Sequence, residues 1–540
     1  MLIPARIDCR HRHFTARLTF AFAALVLFAF VLPLHAQDDS YVVRTKAGLV
    51  RGVARSNGGA RFAGIPYAEP PVGPLRWRAP VPKKTWSGIR DASTFGASCA
   101  QPILSGAWNR FDAENGQEDC LYLNVTTPVW PVAKPLPVMF WMHGGANEGG
   151  SGSGALYNNG TLTARGILLV TINYRLGVFG FLALPALTRE SPHRASGNYG
   201  LMDQILALHW VRDNIARFGG DPNNITVFGQ SAGANDLGML MTSPLARGLF
   251  QKAIAESGSP FFPTLPPLAD AERQGEKIAV ALNAPAGAAG VDAMRQIPAR
   301  DLLAKLGSLP SQWPNGIRPD VDGWVIPRLP LEVFVSGQQA AIPLLLGVTT
   351  RELGSPESPD VLRTQITNAA GDLAPGVLAL YGLAGDGQGT TDPLYGSVAV
   401  QWSADSMYHC PADAEALWQT AAHQPAYEYE FDYAIPGQDS AIHSAELPYV
   451  FGYFPKAGNI AGKFTSIDTG LADLVESYWT NFAKTGDPNS PGLPPWPEFD
   501  AAERYLIFAQ DGHAVVSNGP LRGPQCELLR KVLGRHINHP

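Results

Sequence analysis

One short segment of the chain has the residue types and spacing that present a serine as a nucleophile. Residues 229–233 are Gly-Gln-Ser-Ala-Gly, and they follow the apolar run 225–228 and precede a helix-compatible stretch, 234–242. A G-x-S-x-G motif between a strand and a helix presents its serine as a nucleophile on a sharp, strained turn. The motif alone occurs by chance in glycine-rich chains, whereas this context predicts Ser231 as the nucleophile.

A serine hydroxyl is a poor nucleophile near neutral pH, so it needs a base, an orienting acid and donors for a developing oxyanion. Residues 143–146, His-Gly-Gly-Ala, directly follow the apolar run 138–142. This is the pattern of a glycine-rich oxyanion loop, in which small residues let backbone N–H groups approach the substrate. We expect the donors to be the N–H groups of Gly145, Ala146 and Ala232; the alternative is a simple tight turn.

The segments that must position these groups alternate along the chain between strand-like and helix-like patterns. Short apolar or β-branched runs bounded by Gly, Pro and Asn predict strands, and helical patterns lie between them. The predicted strands are 136–142, 166–173, 225–228, 342–348 and 427–433, and the clearest predicted helices are 201–218 and 473–484. This order indicates one continuous α/β body after residue 36. Segments 261–341 and 355–404 are richer in Pro, Ala and Gly, and we expect them to cover its active face.

Composition limits the classes of protein to which the chain can belong. Of its 540 residues 45% are hydrophobic and 16% are charged, which excludes a disordered, collagen-like or coiled-coil protein. The formal net charge is -6 and no run of Lys or Arg follows the N-terminal segment. Nucleic acid is therefore not an expected partner.

The N-terminal 36 residues have the pattern of an export signal. An Arg-rich stretch ends at Arg17, an apolar run covers 18–32, and Ala36 offers a cleavage site. The apolar run is shorter than the ~20 residues that a spanning helix needs. We expect cleavage after Ala36, a mature domain of residues 37–540 that is secreted or periplasmic, and no membrane attachment. The alternative is an uncleaved anchor, because Leu34 is not the small residue usual before a cleavage site.

Cysteine usage agrees with export. Of five cysteines, Cys9 lies in the predicted signal, which leaves Cys99, Cys120, Cys410 and Cys526. An even number of cysteines suits an oxidising compartment, and three pairings are open from the residues alone. Four unpaired buried thiols are the alternative.

Long motifs occur along the chain in a fixed order. They are residues 62–68, 70–73, 118–125 (Glu-Asp-Cys-Leu-Tyr-Leu-Asn-Val), 218–222 leading to 231–233, 478–483 and 486–488. Together they resemble the type-B carboxylesterase family, the cholinesterase-like branch of the α/β-hydrolases, over residues 41–530. The resemblance implies a central, mostly parallel sheet flanked by helices, with helical and loop insertions covering the active site. It also implies a carboxylic ester hydrolase for small-molecule esters, with no metal or organic cofactor.

The resemblance further implies a Ser-Glu-His triad. Glu352 follows the predicted strand 342–348 and is similar to the family's triad acid, although Leu353 stands where the family usually has a small residue. Glu357 and Asp432 are the rivals by position.

For the base, residues 443–452 resemble the family's catalytic-histidine motif and imply His443. Generic α/β-hydrolase reasoning makes His513 a rival, because it follows the strand-like run 505–508. The order Ser231, Glu352, His443 agrees with the order of triad residues along α/β-hydrolase chains.

Two disulfides and one supporting serine also follow from the resemblance. It pairs Cys99 with Cys120 across an acidic loop, and Cys410 with Cys526. Ser259 is similar to a serine that hydrogen-bonds near the acid and base; an ordinary turn serine is the alternative.

Two other functions are compatible with these residues. Choline-ester hydrolysis is one, because Trp108 can stack on a quaternary ammonium. However, neutral Gln230 stands where the family often has Glu, and Asn147 replaces a common aromatic residue. The other is a binding protein with this fold and no activity, which the filled triad positions argue against.

Overall fold

An 11-stranded mixed sheet organises the described part of the molecule. The computed structural model describes residues 39–56, 58–262, 264–307, 317–354 and 357–538. The predicted signal, residues 1–36, lies outside them. Contacts group residues 41–540 into one unit. No helix among the described residues has the length and apolar character to cross a membrane.

The strands of the described residues fall into a large sheet and a small one. They are β1 (Val42–Arg44), β2 (Leu49–Arg51), β3 (Val53–Ala54), β4 (Ala60–Pro66), β5 (Ile89–Asp91), β6 (Tyr122–Thr127), β7 (Leu136–Met142), β8 (Leu168–Ile172), β9 (Gly220–Gln230), β10 (Lys252–Glu256), β11 (Leu344–Thr349), β12 (Ala426–Phe431), β13 (Leu506–Phe508) and β14 (Ala514–Val516). The small sheet has the order β1-β2-β5.

The large sheet has the order β14-β13-β12-β11-β10-β9-β7-β8-β6-β4-β3. Within this order, the seven neighbouring strands β13, β12, β11, β10, β9, β7 and β8 pair in parallel. The strands at both edges of the sheet pair antiparallel. Parallel strands end at the same edge of a sheet, and loops at that edge are where α/β folds build their sites. The ends of β7, β9, β11 and β12 therefore gather residues that are distant in sequence.

Helices connect the strands. They are α1 (Arg110–Asn115), α2 (Ala155–Asn158), α3 (Gly177–Phe181), α4 (Pro185–Glu190), α5 (Tyr199–Asn214), α6 (Ala232–Thr242), α7 (Leu268–Ala281), α8 (Ala288–Arg295), α9 (Ala299–Gly307), α10 (Pro330–Val335), α11 (Pro359–Ala370), α12 (Ala374–Leu380), α13 (Val398–Ala404), α14 (Cys410–Ala421), α15 (Leu447–Phe451), α16 (Ser466–Thr485) and α17 (Gly523–Asn538).

Both faces of the sheet are covered, which explains why β7 is apolar without alternation. Val138, Phe140 and Met142 pack into one core cluster with residues of α5 and α6. Met139 and Trp141 point to the opposite face and pack with residues of α15 and α16. Successive side chains of a strand alternate between faces, so one run of residues fills both cores.

Two disulfides join the cysteines as the family resemblance implied. Cys99 pairs with Cys120, 21 residues apart, and Cys410 pairs with Cys526, 116 residues apart. The second bridge ties the start of α14 to α17.

The two bridges should stabilise the fold to different extents. In the loop-entropy model, removal of Cys99–Cys120 costs about 3 kcal/mol and removal of Cys410–Cys526 about 5 kcal/mol, because the second bridge closes the longer loop. Urea unfolding of the two double Cys→Ser variants measures both costs. Free thiols in non-reducing peptide maps of the purified protein, or a Cys99–Cys410 peptide, would contradict the pairing.

Candidate active site

Ser231 lies on a tight turn between the end of β9 and the start of α6. Its backbone has φ 56° and ψ -124°, a conformation that costs an L-residue on the order of 1–3 kcal/mol. The start of α6 packs closely against the end of β7, because a Cβ on Gly233 would lie 2.1 Å from the carbonyl oxygen of Met142. Ser231 N–H donates to the carbonyl oxygen of Glu256 at 2.8 Å. Glycine is therefore required at position 233 of the motif.

Glu352 and His443 meet beyond the ends of β11 and β12. Arg351 N–H donates to the carbonyl oxygen of Ala441 at 2.9 Å, and this pairing sets the next residues side by side. His443 Nδ1 is hydrogen-bonded to Glu352 Oε2. Thr349 N–H donates to the other carboxyl oxygen at 2.8 Å.

This environment keeps the Glu352 carboxyl ionised. The side chain is fully buried, which opposes ionisation, but the adjacent His443 and the Thr349 N–H favour it more. The pKa of Glu352 therefore lies below its ordinary value. A carboxylate at Nδ1 favours the tautomer with the proton on Nδ1 and the lone pair on Nε2.

The side chain of Gln230, the residue before the serine, is hydrogen-bonded to the lone pair on His443 Nε2. Its Nε2 lies 3.1 Å from His443 Nε2, so the amide N–H donates to the imidazole. Within the described residues, Ser231 makes no hydrogen bond to His443. The structure therefore brings the three predicted triad residues to one edge of the sheet, with the Gln230 amide on the imidazole nitrogen that Glu352 does not contact.

A charge at position 230 should change the pH dependence of the site. In Gln230→Glu, a carboxylate beside Nε2 would stabilise the imidazolium form, which cannot accept a proton from serine. The acid limb of the kcat/KM profile should move up by about one pH unit or more. Gln230→Met is the control, since it removes the hydrogen bond without adding charge. An unchanged limb in Gln230→Glu would contradict the contact.

The loop after β7 is held in a left-handed conformation. Gly145, Ala146 and Asn147 have φ of 114°, 57° and 57°. Only glycine fits at the first position, because a Cβ on Gly145 would stand 2.1 Å from the carbonyl oxygen of Gly149. Within the described residues, the N–H groups of Gly145, Ala146 and Ala232 donate no hydrogen bond. They are free to serve as the predicted oxyanion donors.

His143 anchors the start of this loop as a neutral side chain. Burial lowers the pKa of His143 to about 4, and its Nδ1–H donates to the carbonyl oxygen of Gly144 at 2.8 Å. Its ring stacks on Tyr174 with centroids 4.5 Å apart, and the Tyr174 hydroxyl donates to the His143 carbonyl oxygen at 2.7 Å. The histidine of the motif is a packing residue of the loop.

The structure positions the rivals elsewhere. His513 is exposed on the turn between β13 and β14, and Glu357 is exposed as well. Asp432 accepts hydrogen bonds from Thr350 Oγ1 at 2.9 Å and Gln510 Nε2 at 3.1 Å. None of the three rivals is hydrogen-bonded to Ser231 or to His443 among the described residues.

Two further expectations concern Ser259 and Trp108. Ser259 is buried and its N–H donates to Asn235 Oδ1 at 2.8 Å, but nothing joins its hydroxyl to the acid or base in the described residues. Ser257 is the serine near the acid, where it helps to lower the pKa of Glu352. The Trp108 ring flanks Gly145: its Cη2 would lie 3.1 Å from a Cβ there.

Sequence comparison decides the family. The sequence profile of the carboxylesterase family matches residues 39–372 and 383–527. The chain belongs to the carboxylesterase family. Similar proteins include the fumonisin B1 esterase of Sphingopyxis macrogoltabida, 36% identical over 89% of each chain, and the para-nitrobenzyl esterase of Bacillus subtilis, 36% identical over 89% of this chain and 96% of that protein.

Solved structures agree with this family. A PNB esterase has a TM-score of 0.78 and 32% identity over 92% of this chain and 99% of that one. A thermophilic PNB esterase has a TM-score of 0.78 and 33% identity over 91% and 100%. The fold of this carboxylesterase is thus that of an α/β-hydrolase, and the protein is a carboxylic ester hydrolase.

Proposed function

We propose that this carboxylesterase hydrolyses carboxylic esters through an acyl-enzyme on Ser231, with His443 as general base and Glu352 as the acid that orients it. The observation that carries the proposal is the hydrogen bond between Glu352 and His443 Nδ1, which leaves the Nε2 lone pair facing the turn that bears Ser231. The strained turn and the free N–H groups of the oxyanion loop support it.

Acylation begins when substrate binding lets Ser231 replace the Gln230 amide at His443 Nε2. The serine oxygen attacks the ester carbonyl while Nε2 takes its proton, and the ionised Glu352 stabilises the imidazolium that forms. The N–H groups of Gly145, Ala146 and Ala232 stabilise the oxyanion, and each contributes about 3 kcal/mol to lowering the barrier.

The same histidine completes the reaction. The imidazolium donates its proton to the departing alcohol, and the ester C–O bond breaks to leave acyl-Ser231. Water then gives a proton to Nε2 and attacks the acyl carbonyl. The bond between the acyl carbon and the Ser231 oxygen breaks, the imidazolium returns its proton to that oxygen, and the acid is released.

Trapping the acyl-enzyme tests the proposal. Mixing enzyme with excess p-nitrophenyl acetate should release a burst of nitrophenol equal to the active sites. After acid quenching, mass spectrometry of proteolytic peptides should find the added acetyl group on Ser231. Acetylation of another residue, or turnover without any acyl-enzyme, would contradict it. Absence of turnover on all esters would favour a binding protein instead.

The range of substrates is a second measurement. Rates over p-nitrophenyl esters of increasing acyl length, with choline esters beside them, define the acyl and alcohol preference. Trp108 beside Gly145 favours a cationic alcohol, whereas the neutral Gln230 removes a charge that would attract one. We expect neutral esters to react faster than choline esters of the same acyl chain.

We also propose that the protein is exported. The Arg-rich and apolar pattern of residues 1–36 supports this, as do the two disulfides, which persist in oxidising compartments. N-terminal sequencing of the protein recovered outside the cytoplasm should begin at Gln37.

A further inference from the structure

Helix α6 carries a carboxylate that the reaction above does not use. Asp236 lies five residues after Ser231 and is fully buried. It accepts a hydrogen bond from Asn147 Nδ2 at 2.8 Å and another from Gln204 Nε2 at 2.5 Å. One donor belongs to the oxyanion loop and the other to α5, so Asp236 joins that loop to the helix beneath the serine.

No cation compensates this carboxylate among the described residues. The titratable groups on the elements around α6 have other partners or remain neutral: Asp203 of α5 pairs with Arg175, Glu332 of α10 with Arg328, Glu256 of β10 accepts from Trp479, and His143 and the Tyr174 hydroxyl hold the start of the loop. Burial raises the pKa of Asp236 to about 7, although the two amide hydrogen bonds favour its ionised form. Its ionisation thus falls near neutral pH.

The two amides are oriented to serve an ionised group. Asn147 Oδ1 and Gln204 Oε1 are buried and have no hydrogen-bond partner in the described residues, so both NH₂ groups are directed to Asp236. A carboxylate can accept from both. A protonated Asp236 has a hydroxyl that must itself donate, so one amide has to turn its oxygen towards Asp236 and lose its present bond.

The Asn147 contact bears on a strained segment. Asn147 and Ala146 both have φ of 57°, and such residues keep this conformation only when their surroundings enforce it. Asn147 has two anchors: its side chain on Asp236, and its carbonyl oxygen, which accepts from Gly177 N–H at 2.7 Å. Losing the side-chain anchor frees the segment that carries the Gly145 and Ala146 N–H groups.

We propose that ionised Asp236 is a positioning residue for the oxyanion loop, and that its protonation loosens Asn147 and lowers activity on the acid side. The inference rests on the proposed acyl transfer at Ser231. It requires that the acid limb of kcat contain two ionisations, that of the base and that of Asp236. The slope of log kcat against pH should approach about two in the wild-type enzyme.

Asp236→Asn removes the ionisation and keeps the shape of the side chain. We expect kcat to fall by about 10-fold to 100-fold with little change in KM, because a displaced donor weakens the transition state more than substrate binding. The acid limb should keep a slope of about one. An Asp236→Asn enzyme with the kcat and profile of the wild type would overturn the inference.

Gln204→Met provides a test if the first variant does not fold. It removes one hydrogen bond from the ionised carboxylate and leaves the Asn147 contact in place, so the Asp236 ionisation should move to higher pH. The acid limb should shift in the same direction. A limb that stays where it is in the wild-type enzyme would refute the role of Asp236.

Asp413→Asn is the matched control. Asp413 is another buried carboxylate whose pKa is raised to about 7 by burial, but it pairs with Arg530 of α17 and does not contact the oxyanion loop. Its loss should lower the melting temperature and leave the pH profile of kcat unchanged. A matching change of profile in Asp413→Asn would attribute the effect to general destabilisation and overturn the inference.

If wild-type enzyme forms no acyl-Ser231, the proposed function fails. If it does and the Asp236 variants behave as wild type, only this inference fails.

Discussion

Replacing Ser231 by alanine should lower kcat by about 10⁴-fold or more, because the nucleophile is lost while the oxyanion donors and substrate contacts remain. The fold should survive. Alanine and serine bear similar strain at φ 56°, and the Ser231 hydroxyl makes no hydrogen bond within the described residues. Steady-state hydrolysis of p-nitrophenyl esters measures the loss, and thermal unfolding checks the fold.

Ser259→Ala is the control for this experiment. Ser259 is buried near α6, but its hydroxyl is not joined to Glu352 or His443 among the described residues. Its substitution should leave kcat within about threefold of wild type, because no reacting group depends on it. Retention of more than a tenth of wild-type turnover in Ser231→Ala would contradict the assignment of the nucleophile.

The centres of the predicted elements agree with the structure better than their ends do. The predicted strand 225–228 lies within an 11-residue strand, Gly220–Gln230, that extends beyond it at both ends. Its first residues, Gly-Asp-Pro-Asn-Asn, have turn-forming composition, and Gly220 pairs with Leu136 of β7. Pairing with a neighbouring strand overrides such local preference, and a single sequence does not reveal it.

Helix ends illustrate the same limit. The prediction 473–484 begins late, because α16 starts at Ser466 behind a capping box formed by Thr465 and Asp468. A capping box is a local pattern of residue types, so this helix start can be recognised in the sequence. The predicted helix 201–218 is correct to Asn214, and its last turn is a 3₁₀-helix that ends at left-handed Gly219.

The residues of the site also differ in how far the sequence alone predicts them. Ser231 and the oxyanion loop follow from short motifs, since neighbours in sequence determine a sharp turn and a close backbone approach. The contacts of Gln230 with His443 and of Asn147 with Asp236 join residues 213 and 89 positions apart. Side-chain identity alone marks Asn147 and Gln230 as departures from the family pattern, and only the fold shows which groups they meet.

The choice between His443 and His513 gives the second large effect. His443→Ala should lower kcat by about 10⁴-fold or more, because every proton transfer of the proposed reaction uses this imidazole and no rival base is hydrogen-bonded to Ser231 among the described residues. His513→Ala should change kcat by less than about twofold. His513 is exposed on the turn between β13 and β14, where its N–H donates to Asp511 Oδ1 at 3.0 Å, and alanine retains that N–H.

Both variants should be measured across a range of pH with the same ester. A lost base leaves only direct attack by the small fraction of ionised serine, so residual turnover of His443→Ala should rise steadily with pH and lose the wild-type acid limb. His513→Ala should retain that limb.

If His513→Ala were the inactive variant, the base would have to come from the far side of β13, and the Glu352–His443 pair would be a structural contact. If both variants lost activity equally, general destabilisation would be the cause, and their unfolding midpoints would fall together. The structure favours the first result, because the fold brings His443 both to an ionised carboxylate at Nδ1 and to the residue beside the nucleophile at Nε2.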